Sequence, residues 1–327
     1  MSHRQYPIGS GFGPAATADD ILAGVDLSGT NVVVTGGHNG VGLETTRALV
    51  KAGASVTVGA RNIERARGKL GDIDAVDVTQ LDLFDPASID AFVARWLDSG
   101  RPLDIMINNA GVTASADLVV DERGYEEQFA TNHLGHFQLT LGLLPALRAG
   151  EGARVVNVSS GAQRFGEIRW EDPHFRAGDY DANVAYAQSK LANVLFAVEL
   201  DRRMSGDAVR GYAVHPGVVV GTNLNSASGE QTLRAMGLID AAGDPIIDPE
   251  HGKKTPQQGA STSVFAATSP LLADVGGVYL VDNDIAPLND EPLPMSAEGP
   301  PTAAMSHSVD PDAARRLWEL SEKLLAG

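Results

Sequence analysis

The run Leu27-Ser-Gly-Thr-Asn-Val-Val-Val-Thr35, followed at once by Gly36-Gly-His-Asn-Gly-Val-Gly42, leaves this chain few folds to choose from. Val32 to Thr35 is β-branched, too short for a helix, and apolar enough for a strand buried on both faces, as in a parallel sheet. Leu43-Glu-Thr-Thr-Arg-Ala-Leu-Val-Lys51 then reads as a helix ended by Gly53. A strand, a glycine turn and a helix in that order open a dinucleotide-binding unit. Glycines let the backbone approach a pyrophosphate, and the helix N-terminus adds free N–H groups and a positive dipole end. Gly36, His38, Asn39, Gly40 and Val41 are therefore candidate cofactor contacts.

The second strand, Ala54-Ser-Val-Thr-Val-Gly-Ala60, runs into Arg61. A site for NAD usually has an acidic residue about 20 positions beyond the glycines, where it holds the ribose 2′-hydroxyl. No carboxylate occurs from Val56 to Ile63. Arg61 instead supplies a planar cation suited to a 2′-phosphate, which favours NADP over NAD.

Tyr186 and Lys190 lie one helical turn apart in Ala185-Tyr-Ala-Gln-Ser-Lys-Leu-Ala-Asn193, so they share a helix face. A phenol ordinarily titrates near pH ~10. An ammonium one turn away would favour the phenolate and ease proton exchange. Ser159-Ser160 closes an apolar run upstream, and Ser159 is the candidate for hydrogen-bonding a substrate oxygen. Such a set suits hydride chemistry at a carbonyl.

Taken in order, these pieces resemble the short-chain dehydrogenase/reductase family. Thr35-Gly36-x-x-x-Gly40-x-Gly42 matches its cofactor turn, and Asn108-Asn-Ala-Gly111 the motif after its fourth strand. Asn132 matches its helix asparagine, Ser159, Tyr186 and Lys190 its catalytic set, and His215-Pro-Gly217 the end of its sixth strand. The strings Ser-Lys-Leu-Ala-Asn-Val-Leu-Phe-Ala-Val-Glu-Leu and Gly-Ala-Ser-Thr-Ser-Val-Phe-Ala-Ala-Thr-Ser-Pro are similar to the branch of retinol dehydrogenases and WW-domain oxidoreductases. The likeness covers roughly residues 26 to 325. It implies Tyr186 as general acid/base, Ser159 holding the substrate, and Lys190 lowering the tyrosine pKa and binding the nicotinamide ribose. Asn132 would kink its helix and anchor a water that joins the lysine to solvent. Asp82 and Leu83 would lie beside the adenine, while Asn109, Ala110, Gly111, Pro216, Gly217, Val219 and Thr222 would line the rest of the cofactor. At one point the chain departs from the pattern: Gly221 stands where a threonine is usual, and Thr222 follows it. The implied activity is NADP(H)-dependent interconversion of a hydrophobic alcohol and its ketone or aldehyde, with hydride transfer on the pro-S face. Reduction of a carbon–carbon double bond and non-catalytic nucleotide sensing are the alternatives. Assembly as a homodimer or homotetramer is compatible with the likeness.

The whole chain is 327 residues long and 43% hydrophobic, enough for one large α/β domain. A net charge of −17 without any basic stripe argues against nucleic-acid binding. Zero cysteines exclude disulfides and thiolate metal sites and fit a reducing compartment, so a cytoplasmic location is expected. No apolar run reaches the roughly 18 residues that span a bilayer. His133 and His136 lie three apart without a second ligand cluster, so no metal is expected. The Asn157-Val-Ser159 sequon falls in an expected buried strand and is discounted.

Later strands are expected at 75–83, 103–108, 154–159, 210–215 and 278–281. Helices are expected at 86–98, 122–147, 184–204 and 257–268. Asp310-Pro opens a last helix over 310–325. The expected architecture is a single doubly wound Rossmann domain over 26–327, with about seven parallel strands and helices on both faces, behind an N-terminal arm at 1–25. The segment 222–255 is too long for an ordinary connection and is expected to form an apolar lid over substrate. Glu171, Asp172 and His174, in the connection from 161 to 183, are lesser candidates for substrate contact, with Trp170 and Phe165 as packing.

Overall fold

The computed structural model describes residues 5–71, 73–74, 76–113, 117–219, 229–292 and 302–327. Its strands are β1 (Asn31–Thr35), β2 (Ser55–Ala60), β3 (Val76–Gln80), β4 (Ile105–Asn108), β5 (Arg154–Val158), β6 (Arg210–His215), β7 (Val218–Val219), β8 (Lys253–Lys254), β9 (Val278–Val281) and β10 (Asp284–Ile285). Its helices are α1 (Ala18–Ile21), α2 (Gly40–Lys51), α3 (Ile63–Leu70), α4 (Pro86–Asp98), α5 (Glu127–Phe129), α6 (Gly135–Arg148), α7 (Ala182–Met204), α8 (Glu230–Ala235), α9 (Pro256–Thr268) and α10 (Pro311–Leu325).

The main sheet runs β10-β9-β6-β5-β4-β1-β2-β3. Seven of its strands pair in parallel, as the apolar runs require, and the short β10 folds back antiparallel on β9. Strand order reverses at the β1–β4 pair, so a crevice opens beyond the carboxyl ends of these two strands. Side chains alternate across the sheet with period two. Val32 and Val34 enter a core with α2 and α9, whereas Val33 enters the opposite core with α4 and α6. The C-terminal α10 closes the second face, where Trp318 meets Phe137 edge-on at 4.9 Å.

Two expected boundaries move, for physical reasons. The helix expected from 122 begins only at Glu127, because the Asp121 carboxylate accepts the N–H groups of Arg123 and Tyr125 and holds a turn there. Glu126 then caps the helix, accepting from Gln128 and Phe129. Residues Ala130–Leu134 form a π-helical turn before α6, the irregularity expected around Asn132. The third strand stops at Gln80, which leaves Asp82 and Leu83 in the following turn. A small parallel pair, β7 with β8, was not foreseen.

Within the arm, the Gln5 side chain bonds both backbone groups of Tyr279 and the carbonyl of Ala286. The Asp284 carboxylate accepts the N–H groups of Ile8, Gly9 and Ser10. The described part of the arm is therefore stitched to the β9–β10 edge. Among the described residues, no helix is long and apolar enough to cross a membrane.

Candidate active site

The glycine turn packs too closely to admit side chains. A Cβ on Gly42 would lie 2.4 Å from Asn109 Nδ2 and 2.6 Å from the Gly36 carbonyl oxygen, and one on Gly37 would lie 2.6 Å from Thr46 Oγ1. Gly36 and Gly40 adopt φ +64° and +49°, which side chains resist. Asn39 caps α2 without a side-chain hydrogen bond, and no acid occupies the first turn, so the dipole end stays available to an anion. These features fit a dinucleotide pyrophosphate. Asn109 donates its side-chain amide to the Thr35 carbonyl, and its own N–H and that of Ala110 both go to Thr35 Oγ1. The β1 and β4 ends are thus clamped level.

Arg61 ends β2 with its side chain exposed, and its carbonyl accepts from Gln80. Burial holds the His38 imidazole below its ordinary pKa, and Arg65 on α3 adds to the effect. Asp82 Oδ1 accepts from the Phe84 N–H. Leu83 is buried, and α6 starts so close to it that a Cβ on Gly135 would strike its carbonyl. On the far side, Cβ positions on Gly259 of α9 would meet Val219, Val41 and the Pro216 carbonyl within 3.3 Å. Gly217, at φ +80°, packs on Lys254 and the Gly252 carbonyl. Thr222 lies outside the described residues.

The chemistry gathers where β5 ends against α7. Lys190 Nζ donates to the Val158 carbonyl at 3.2 Å and lies 5.6 Å from the Tyr186 ring centre. A Cβ on Gly111 would be 3.3 Å from Lys190 Nζ and 3.4 Å from Asn132 Oδ1, so these three positions converge. Asn132 exchanges both amide groups with the Val112 backbone and also donates to Ser189 Oγ.

The two adjacent serines take different partners. Ser159, expected to hold the substrate, is buried and donates its hydroxyl to the Lys190 carbonyl at 2.7 Å. Ser160 instead reaches the Tyr186 phenol, where its hydrogen bond favours the ionised form. The cause is strand parity: β5 ends at Val158, and successive side chains leave it on opposite sides. Burial pushes the Tyr186 phenol up to about 12, against the Ser160 hydrogen bond, and pushes the Lys190 amine down to about 8. In each case loss of hydration penalises the charged form.

The remaining candidates are structural. His174 is buried and stacks on Tyr125 at 4.3 Å. Glu171 is exposed and faces Arg316, whose guanidinium covers Trp170. Asp172 Oδ1 and Oδ2 tie down the N–H groups of Arg176 and Ala177. Phe165 stays exposed. His133 bonds Ser321 amid Phe129, Phe137 and Phe196, and no cluster suited to a metal occurs among the described residues. The sequence reading also missed Lys254. Its buried ammonium meets Asp282 at 2.5 Å and anchors β8 beside Gly217.

A family model described as short chain dehydrogenase matches residues 30–233. A "Probable oxidoreductase" from Streptomyces antibioticus is 43% identical, over 90% of this chain and 97% of its own length. Retinol dehydrogenase 13 from Homo sapiens is 33% identical, over 97% of this chain and 93% of its own. Among solved structures, an uncharacterized protein from Mycobacterium Paratuberculosis superposes with a TM-score of 0.71 at 30% identity, covering 95% of this chain and 98% of that one.

The two serines separate experimentally. Ser160→Ala should lower turnover by about 10²–10³-fold, the usual cost of one donor at a developing oxyanion. Ser159→Ala should act mainly on stability, lowering the urea midpoint by the net worth of one buried hydrogen bond, about 1 kcal/mol. Steady-state kinetics and urea unfolding on both variants check the assignment; the reverse pattern would return the role to Ser159.

Proposed function

The chain belongs to the short-chain dehydrogenase family and is an oxidoreductase, and we propose that it is an NADP(H)-dependent reductase or dehydrogenase acting on a hydrophobic ketone, aldehyde or alcohol. The observation that carries the proposal is the convergence of Tyr186, Ser160 and Lys190 at the carboxyl end of the sheet. When bound, a nicotinamide dinucleotide supplies the hydride donor or acceptor. The chain does the rest. Ser160 orients the substrate oxygen by hydrogen bonding. Tyr186 gives its phenolic proton to that oxygen in reduction and takes it back in oxidation. A phenol held neutral by burial is ready to donate, and Lys190 stabilises the phenolate left behind. The Val158 carbonyl holds the lysine ammonium, with Gly111 and Asn132 close beside it.

Two features support the finer reading. Arg61, with Arg65 near His38 and no carboxylate from 56 to 63, suits a 2′-phosphate rather than a free 2′-hydroxyl. Phe165 and Val184, which follow Ser160 and precede Tyr186 in the chain, keep apolar surface exposed and suit a hydrophobic substrate. The segment 222–255 is proposed as the cover over that substrate. Of its described residues, Leu238 and Ile239 are buried as its footing, while Met236 and Ile247 remain exposed.

Three measurements test this. Tyr186→Phe should reduce turnover on a carbonyl panel by about 10²–10⁴-fold while NADPH binding, read by fluorescence titration, stays near normal. Near-normal rates would remove Tyr186 from the chemistry. Arg61→Ala should weaken NADPH by roughly ten- to hundredfold, the worth of a charge-assisted hydrogen bond, and NADH hardly at all. Equal losses would place Arg61 outside the ribose pocket. Hydrogen exchange should show the 222–255 segment gaining protection only when substrate joins the cofactor, and unchanged protection would end its role as a lid.

A further inference from the structure

Beneath the site, His136 is buried and bonded on both ring nitrogens. Nδ1 lies 3.0 Å from the Asn132 carbonyl oxygen, and Nε2 lies 2.8 Å from Thr35 Oγ1. The protons on this chain can be assigned by elimination. A carbonyl only accepts, so Nδ1 carries the hydrogen, and in the neutral ring Nε2 is then the acceptor. Thr35 therefore donates its hydroxyl hydrogen to Nε2 at 2.8 Å rather than to the more distant Ile107 carbonyl at 3.5 Å. Its oxygen is then free to accept the N–H groups of Asn109 and Ala110, as it does. The imidazole is neutral in this arrangement, and burial depresses its pKa to about 4.

From the other end of Asn132 the chain continues. Its side chain donates to Ser189 Oγ, and Ser189 donates to the Tyr186 carbonyl. A single directional path thus links the Asn109–Ala110 backbone, Thr35, His136, Asn132, Ser189 and the main chain of Tyr186. Every link but one is fixed by covalent roles; only a histidine of one defined tautomer can join the threonine hydroxyl to the asparagine carbonyl.

We propose that His136 is a positioning residue that locks the Asn132 main chain to Thr35, so that the cofactor turn and the Tyr186–Lys190 helix are held in one register. The proposal rests on the reductase reading given above. Its parts follow from the geometry. Asn132 sits in the π-helical turn, where the regular helix ladder is interrupted, and its carbonyl accepts from the His136 ring. His136 provides that side chain from the first turn of α6.

The test uses the full chain and three substitutions. An asparagine amide nitrogen occupies about the place of Nδ1, whereas a glutamine amide reaches the place of Nε2. His136→Leu should lower kcat roughly tenfold, the worth of one lost hydrogen bond, with a smaller change in the carbonyl KM. His136→Asn should recover most of kcat because it keeps the donor to the Asn132 carbonyl, and His136→Gln should not. Thermal unfolding of all three separates this from packing. If kcat simply follows the melting temperature across the series, His136 is a core residue and the proposal is overturned. A readout without turnover stands beside it. The ¹⁵N shifts of the His136 ring should report a neutral, Nδ1-protonated imidazole from neutral pH down to pH 5, and an Nε2-protonated ring would overturn the assignment. Should the wild type reduce no carbonyl at all, the reductase reading fails while the ring shifts still decide the tautomer.

Discussion

A single buried hydroxyl sets the level of the whole catalytic edge. Thr35 Oγ1 takes two backbone N–H groups from the loop after β4, and the Thr35 carbonyl takes the Asn109 amide. In a region shielded from water such bonds are strong and strongly oriented, and an unmade one is costly. The ends of β1 and β4 therefore cannot slide past one another. The glycine turn and the Asn109–Gly111 loop leave from a common origin, and the narrow spaces around Gly36 and Gly42, both facing Asn109, follow from that clamp. The crevice at the strand-order reversal is rigid on its cofactor side for this reason.

The catalytic side is built on a different principle. Lys190 is buried and Tyr186 half-buried, and burial shifts each toward its neutral form. A phenol moved toward 12 and an amine moved toward 8 have been shifted by the same cost, that of carrying charge without hydration. At neutral pH the phenol is neutral while the amine, shifted only to about 8, keeps most of its charge, so a positive end is available to a developing alkoxide or phenolate.

Much of this was legible beforehand. The apolar runs at β1, β4, β5, β6 and β9 announced parallel strands, and Asp310-Pro and Pro86 marked two helix starts to within a residue. Tyr186, Lys190 and Asn132 were readable because their spacing and order carry the signal. The choice between Ser159 and Ser160 was not. Two identical side chains in sequence differ only by the face on which each leaves the strand, and that depends on where β5 stops. The Lys254–Asp282 pair was hidden as well, since nothing local in either segment marks a partner 28 positions away. The start of α5 was obscured by Asp121 and Glu126, acids that read as helix-compatible but hold a turn and a cap instead. The Thr35 partner of His136 was hidden for the same reason as Asp282, lying 101 positions away.

The stitching of Gln5 to Tyr279 bears on how the molecule comes to be made. Those residues are 274 positions apart. At synthesis rates of about 5–20 residues per second, the arm waits roughly 15 to 50 seconds for its partner strand to be translated. For the last part of that interval, between the synthesis of His215 and that of Val278, β6 is an unpaired sheet edge, since β9 is not yet there to cover it. Gln5 and the β9–β10 edge thus complete each other, and this edge of the sheet is sealed only once β9 has been translated. A nascent chain halted before Val278 would carry both an unattached arm and an open edge, a combination that chaperones and proteases are suited to recognise.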